Sequence, residues 1–128
     1  MPTKRFVPKP DVVKVGHRTY EVHWLLDVEW KAHGYDMDER GHTDHSMQVI
    51  AVRLEMDGDP THKDGLQEVF IHEVMHCCFN ASMLWNAWDI INGHKDYGQI
   101  DELFTGNGAP LMLSFMRDNP DAVKWVTS

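Results

Sequence analysis

Near the start of the chain, apolar residues fall at the two-residue spacing of strands; beyond residue 60 they fall at helical spacing. Residues 12–15 and 19–24 read as two strands joined by a turn at Gly16-His17. Residues 26–33 suit a short helix, with Gly34 as its stop. The clearest strand is 47–56: Ile50, Val52 and Leu54 share one face, and Gln48, Arg53 and Glu55 fall elsewhere. The segment 36–44 is polar and charged and reads as a surface loop. Asp57-Gly58-Asp59-Pro60 is a turn. Residues 1–10 contain three prolines and read as an extended lead-in, which leaves 11–128 as a single folded domain.

A long helix follows. Asp64 with Gln67 three residues on resembles a capping box, and Thr61 is the alternative cap. Residues 66–84 contain neither Gly nor Pro. With His72 and His76 defining one face, Leu66, Phe70, Val74 and Cys77 fall on the far side, and Ile71, Met75 and Cys78 on a flank. The spacing therefore predicts a helix buried nearly all round, with one polar stripe that lines a cleft. Residues 85–98 are mixed, a loop with some helix, and 99–105 are helical. Gly106-Asn107-Gly108 is expected to interrupt, and Pro110 to start the next helix through Leu111, Met112, Phe115 and Met116. Asp118-Asn119-Pro120 ends it, and 121–127 add a last turn or two.

Composition narrows the classes. A chain of 128 residues is long enough to bury one core. A net charge of −8 argues against nucleic acid and anionic membranes as partners. No apolar segment follows the basic start, so no signal peptide is expected. No apolar run approaches the roughly 18 residues that a membrane span needs. Cys77 and Cys78 are adjacent and poorly placed for an ordinary disulfide, which suits a reducing, cytoplasmic setting.

The chemistry lies in His72-Glu73-Val74-Met75-His76, an H-E-x-x-H string. Residues four apart on a helix lie only about 40° apart around its axis. Two imidazoles on successive turns can thus bind one metal ion without bending the backbone, and Glu73 beside them can take a proton from activated water. A catalytic zinc keeps three protein ligands. The third must come from downstream. Glu102 is the first choice, Asp101 its competitor, and His94 the next candidate. His94 and Tyr97 are also candidates to hydrogen-bond an oxyanion, against surface or packing roles. Glu68, one turn before His72, is a candidate to orient a ligand histidine. Cys77 and Cys78 point too far from the ligand face and read as small buried apolar residues. His42 and His45 read as loop or strand-start residues, with a second metal there as the alternative. Trp85 and Trp88 read as core or cleft wall.

Taken together, these residues resemble the small single-domain zinc metallopeptidases of the minimal gluzincin type, many of them encoded by tailed bacteriophages. The resemblance spans most of the chain. Its parts are Gly16-His17-Arg18-Thr19-Tyr20-Glu21-Val22, Arg40-Gly41-His42-Thr43-Asp44-His45, Val69-Phe70-Ile71-His72-Glu73-Val74-Met75-His76-Cys77, Asp101-Glu102 and Arg117-Asp118-Asn119-Pro120. The H-E-x-x-H part belongs to zincins at large, and the others carry weight only together. The resemblance implies an α+β fold: a small twisted, mainly antiparallel sheet packed on the motif helix, with further C-terminal helices completing a cleft. It implies zinc held by His72, His76 and an acid at Asp101-Glu102, Glu73 as general base, a peptide or protein substrate, and a cytoplasmic setting, that of the host if the chain is phage-encoded. The acidic pair of the family is usually Glu-Glu, so Asp101-Glu102 favours Glu102. An edge strand that borders the cleft pairs with the extended peptide; in this chain that strand would be 47–53.

Three functions follow as expectations. The first is a zinc peptidase. The second is a weak or inactive zincin scaffold that docks on a protein, for example one of a host. The third is a structural zinc domain with a fourth protein ligand, which would unfold on chelation. Residues 1–10 or Trp125-Val126-Thr127-Ser128 are candidates to fill the cleft and inhibit it.

Overall fold

The computed structural model describes residues 6–81 and 97–128, leaving out the side chains of 97–105 and 107. Strand β1 (Val12–Val15) runs antiparallel to β2 (Arg18–Leu25), with Val15 opposite Arg18, so Gly16-His17 forms the expected turn. Helix α1 (Asp27–Ala32) packs on β2 and leads to β3 (Gly41–Asp44). Strand β4 (Val49–Arg53) then lies between β2 and β3, parallel to β2 and antiparallel to β3. The result is a four-stranded mixed sheet in the order β1-β2-β4-β3. A small hairpin, β5 (Glu55–Met56) and β6 (Asp59–Pro60), turns on Asp57 and Gly58 at φ of 51° and 84°, the conformation for which Asp-Gly is favoured. Helices α2 (Lys63–Ala81), α3 (Tyr97–Asp118) and α4 (Pro120–Val126) follow. No helix among the described residues is long and apolar enough to cross a membrane. The class is α+β.

One face of the sheet carries the main core. Val13, Val15, Tyr20, Val22, Ile50 and Val52 meet Leu66, Phe70, Val74, Cys77 and Cys78 of α2, with Phe115 and Trp125 closing the far end. The other face is covered by α1, where Trp30 packs with Leu25, Ala51 and Tyr35. Arg53 is buried on that face. Its Nε donates to Asp27 Oδ1 (2.8 Å) and its Nη1 to the Met37 carbonyl (2.6 Å), so one side chain ties α1, the sheet and the 36–40 segment together.

Several expectations change. Segment 36–44 is not all loop, because 41–44 form β3. Gly-His-Thr-Asp offers no apolar alternation, so only its pairing with β4 reveals it. For the same reason 47–53 is not an edge: β4 lies inside the sheet, and β3 is the edge beside α2. Gly106-Asn107-Gly108 does not interrupt, and α3 continues through Pro110. Each helical glycine costs about 1 kcal/mol relative to Ala. The helix tolerates this because Leu111, Met112 and Phe115 bury themselves against the core. Neither Asp64 nor Thr61 sits at the cap of α2; Leu66 N–H donates to the His62 carbonyl (3.0 Å), which puts His62 there and Asp64 in the first turn. Helix α2 is not buried all round, since Met75 is half exposed.

Both ends of the described chain pack on the core. Trp125 contacts Trp24 and Phe70, and its carbonyl accepts from Gln67 Nε2 (2.8 Å). Trp24 Nε1 donates to the Pro10 carbonyl (2.8 Å). Neither Trp125 nor Pro10 is thus available to fill the cleft. Residues 1–5 lie outside the described residues.

The two sheet edges are treated differently. On β1, Asn119 Oδ1 accepts from Lys14 N–H (2.7 Å) and its Nδ2 donates to the Lys14 carbonyl (2.6 Å). A side-chain amide thus takes the place of a neighbouring strand. On β3, Arg53 N–H donates to the Arg40 carbonyl, and the antiparallel alternation turns the N–H and C=O of Gly41 and Thr43 outward. Among the described residues nothing pairs with them.

Candidate metal centre

The central turns of α2 place His72, Glu73 and His76 together, with one ligand atom from each within 4.8 Å of the others. This is the arrangement that the i, i+4 spacing requires. His72 is exposed and His76 partly so. Their Nε2 atoms face each other at 3.1 Å, with the rings at 77°. Two nitrogens bound to one tetrahedral zinc at about 2.0–2.1 Å stand about 3.3 Å apart. The imidazole pair is therefore already spaced for a shared ion.

Glu73 is a different kind of group. It is 5% exposed, on the boundary between the ligand face and the core. Thr43 Oγ1 of β3 donates to its Oε2 at 2.6 Å. Gly41, two residues earlier on the same face of β3, lets the strand approach the helix. A Cβ at Gly41 would stand 2.7 Å from Val69 Cγ1 and 2.8 Å from Glu73 Oε1. The carboxylate is thus fixed by the strand edge while the two imidazoles stay open.

A groove runs between β3 and α2. One part, about 370 Å³, is lined by Arg40, Gly41, Glu68, His72 and Glu73. The other, about 210 Å³, is lined by Gly41, Thr43, His45, Glu73 and His76. Glu68 lines the groove, but no hydrogen bond joins it to His72 among the described residues. Cys77 and Cys78 are buried, and burial pushes their thiols up to about 12 and about 11. Both face the core rather than the groove that His72 and His76 line, as expected of small buried apolar residues.

Asp101 and Glu102 stand in the first turns of α3, and their side chains, like that of Tyr97, lie outside the described residues. His94, Trp85 and Trp88 lie outside them altogether. His42 stacks on Tyr35, with ring centroids 4.5 Å apart, on the sheet face away from α2. Among the described residues, His72, Glu73 and His76 form the only acid, His or Cys cluster spaced for a metal. His42 and His45 join no such cluster among the described residues. The pattern of the chain did not single out Gly41, Thr43 or Tyr20, and gave His45 a loop or strand-start role with a second metal as the alternative. The one signal was Gly-x-Thr in a polar stretch, readable only once β3 is known to abut α2.

No family model, no curated protein and no solved structure matches this chain.

Proposed function

We propose that this chain is a metal-dependent peptidase, with zinc held by His72, His76 and an acid of the Asp101-Glu102 pair, Glu102 before Asp101. The observation that carries this reading is the contrast within one helix turn. Two open imidazoles converge through Nε2, and beside them a buried carboxylate is fixed by Thr43. An inert core histidine pair needs neither the open face nor the clamped acid.

Zinc, when bound, lowers the pKa of water and polarises a carbonyl. The chain's own residues do the rest. The outward N–H and C=O groups of Gly41 and Thr43 pair with an extended peptide, laying its backbone along the groove. Glu73 accepts a proton from the attacking water and passes it to the leaving amine as the C–N bond breaks. The Thr43 hydrogen bond holds Oε2, which leaves Oε1 for that transfer. One water is consumed, and an acid and an amine are formed.

Metal analysis of the purified protein tests the ligand set. About one zinc per chain is expected, lost in His72→Ala, His76→Ala and Glu102→Ala and kept in Asp101→Ala. Glu73→Gln is expected to keep zinc and abolish cleavage of an unfolded protein substrate. Retained cleavage in Glu73→Gln, or a wild type that takes up no zinc on refolding with it, removes the reading and leaves a docking scaffold.

A further inference from the structure

We infer that His45 is a catalytic residue, an Nε2–H donor to the carbonyl oxygen of the scissile bond, and that Tyr20 is the positioning residue that aims it. The inference rests on the peptidase reading above and deepens it. His45 follows β3 and lines the same part of the groove as Glu73 and His76. It is too far from them to join the ligand cluster. A bound peptide carbonyl in that groove would lie between Glu73 on one side and His45 on the other.

Tyr20 holds the imidazole, and two further contacts hold the backbone that carries it. Tyr20 OH stands 3.1 Å from His45 Nδ1, with the rings edge to face. Arg18 Nη1 reaches the His45 carbonyl at 3.4 Å. Asp44 Oδ1 accepts from Ser46 Oγ (2.8 Å) and Met47 N–H (3.0 Å), which shapes the turn that carries His45. Tyr20 itself is buried at 1% exposure and its hydroxyl also meets the Cys77 thiol. A donor built this way costs little reorganisation at the moment of reaction.

The direction of the proton follows from acceptor strength. An imidazole nitrogen is a strong acceptor and a thiol sulfur a weak one. Arg18 donates to the phenol oxygen, and the phenol O–H is left to face His45 Nδ1, the stronger acceptor, rather than the Cys77 sulfur. The remaining ring proton then sits on Nε2. No described residue takes that proton. Burial first, then His76 and Arg18, lowers the His45 pKa, which agrees with a neutral ring. As Glu73 takes the proton of water and the oxygen attacks, the carbonyl π pair moves to oxygen. The hydrogen bond from Nε2–H strengthens on that charge, and the pair returns to the carbonyl as the C–N bond breaks, its electrons leaving on the amine nitrogen with the proton that Glu73 passes on. His45 keeps its proton throughout.

The experiment compares wild type, His45→Gln and Tyr20→Phe in zinc content, kcat and KM on one peptide, and ring tautomer by ¹⁵N NMR of the metal-free protein. Expected are unchanged zinc in all three and kcat lowered about 100- to 1,000-fold in His45→Gln at similar KM. Tyr20→Phe should show a smaller kcat loss together with loss of the pure Nε2–H tautomer. Three results overturn the inference: zinc lost in His45→Gln, kcat kept in His45→Gln, or an Nδ1–H tautomer in the metal-free wild type. A wild type without zinc or turnover fails at the peptidase reading instead, and takes this role for His45 with it.

Discussion

Replacing Gly41 with Ala adds one methyl group where β3 crosses α2, and its consequences can be worked from the contacts. The new Cβ would lie 2.7 Å from Val69 Cγ1, 2.8 Å from Glu73 Oε1 and 2.9 Å from Glu73 Cγ. Ordinary carbon contacts lie at about 3.5–4.0 Å, so close to 1 Å of relief is needed. Val69 is β-branched and holds one rotamer in a helix, so it does not swing away. Glu73 is tied to Thr43. The relief must come from parting β3 and α2 or from breaking that hydrogen bond. Overpacking of this kind costs about 1–3 kcal/mol. Glycine in a strand is itself worse than alanine by roughly 0.5–1 kcal/mol, which offsets part of the loss. A net destabilisation of roughly 0.5–2 kcal/mol is expected, or about 2–8 °C in Tm. Urea unfolding gives the free energy directly. In a Val69→Ala background the closest contact is gone, so the same substitution should cost less. Cleavage should fall about 100-fold in either background, because the Glu73 contacts remain and a 1 Å misplacement costs about that much. A Gly41→Ala protein more stable than wild type, with Thr43 and Glu73 still bonded by NMR, would refute the close approach.

Four further outcomes are expected. Arg53→Met should lower stability by at least ~2 kcal/mol in urea unfolding, since Asp27 and the Met37 carbonyl both lose a buried, charged partner; a near-neutral result would show that the 36–40 segment holds itself. Asp27 is held below its ordinary 3.8, first by the Gly58 N–H and then by Arg53. Its contribution is complete above about pH 4 and is lost as the pH falls through the lowered folded value, so wild-type stability should drop on that acid limb and Asp27→Asn should flatten it. Gly106→Ala should raise Tm, by roughly 1 kcal/mol of helix propensity, because no atom lies within 4 Å of the added Cβ; a lower Tm would mean that α3 bends at Gly106. Chelation should leave the far-UV circular dichroism intact and lower Tm only by the binding energy of the metal. Global unfolding on chelation would favour the structural zinc domain.

Elements with an apolar face were legible in the sequence, and those without one were not. Strands β1, β2 and β4 carry Val13, Val22 and Ile50 toward the core, and their alternation marks them. The residues of β3 carry no such mark, yet this strand supplies Gly41 and Thr43 to the site. The pattern puts Arg53 off the apolar face of its strand, and its burial shows only when Asp27, 26 residues earlier, is known to lie beside it. Glycine and proline signals misled at 106–110, because tertiary burial of Leu111 and Phe115 outweighed local propensity. The H-E-x-x-H helix was legible because its chemistry is local: spacing within one helix alone sets the distance between His72 and His76. What holds Glu73 is not local, and no pattern along α2 carries it.

The treatment of the two sheet edges bears on function independently of any metal. Exposed edges invite unwanted pairing, and proteins commonly cover them. Here Asn119 reaches across from the end of α3 to satisfy both backbone groups of Lys14, so the β1 edge is capped at that position by a single side chain. The β3 edge has no such cover among the described residues, although it is the strand that clamps Glu73 and borders both His72 and His76. Closing β3 in the same way would require a polar side chain over Gly41 or Thr43, in the space where a peptide carbonyl would have to enter. Leaving that edge open is a liability unless something pairs with it, and an extended peptide laid antiparallel on β3 would bring its backbone between Glu73 and His45. A capped Lys14 on one edge and outward Gly41 and Thr43 groups on the other are what the proposed backbone pairing uses.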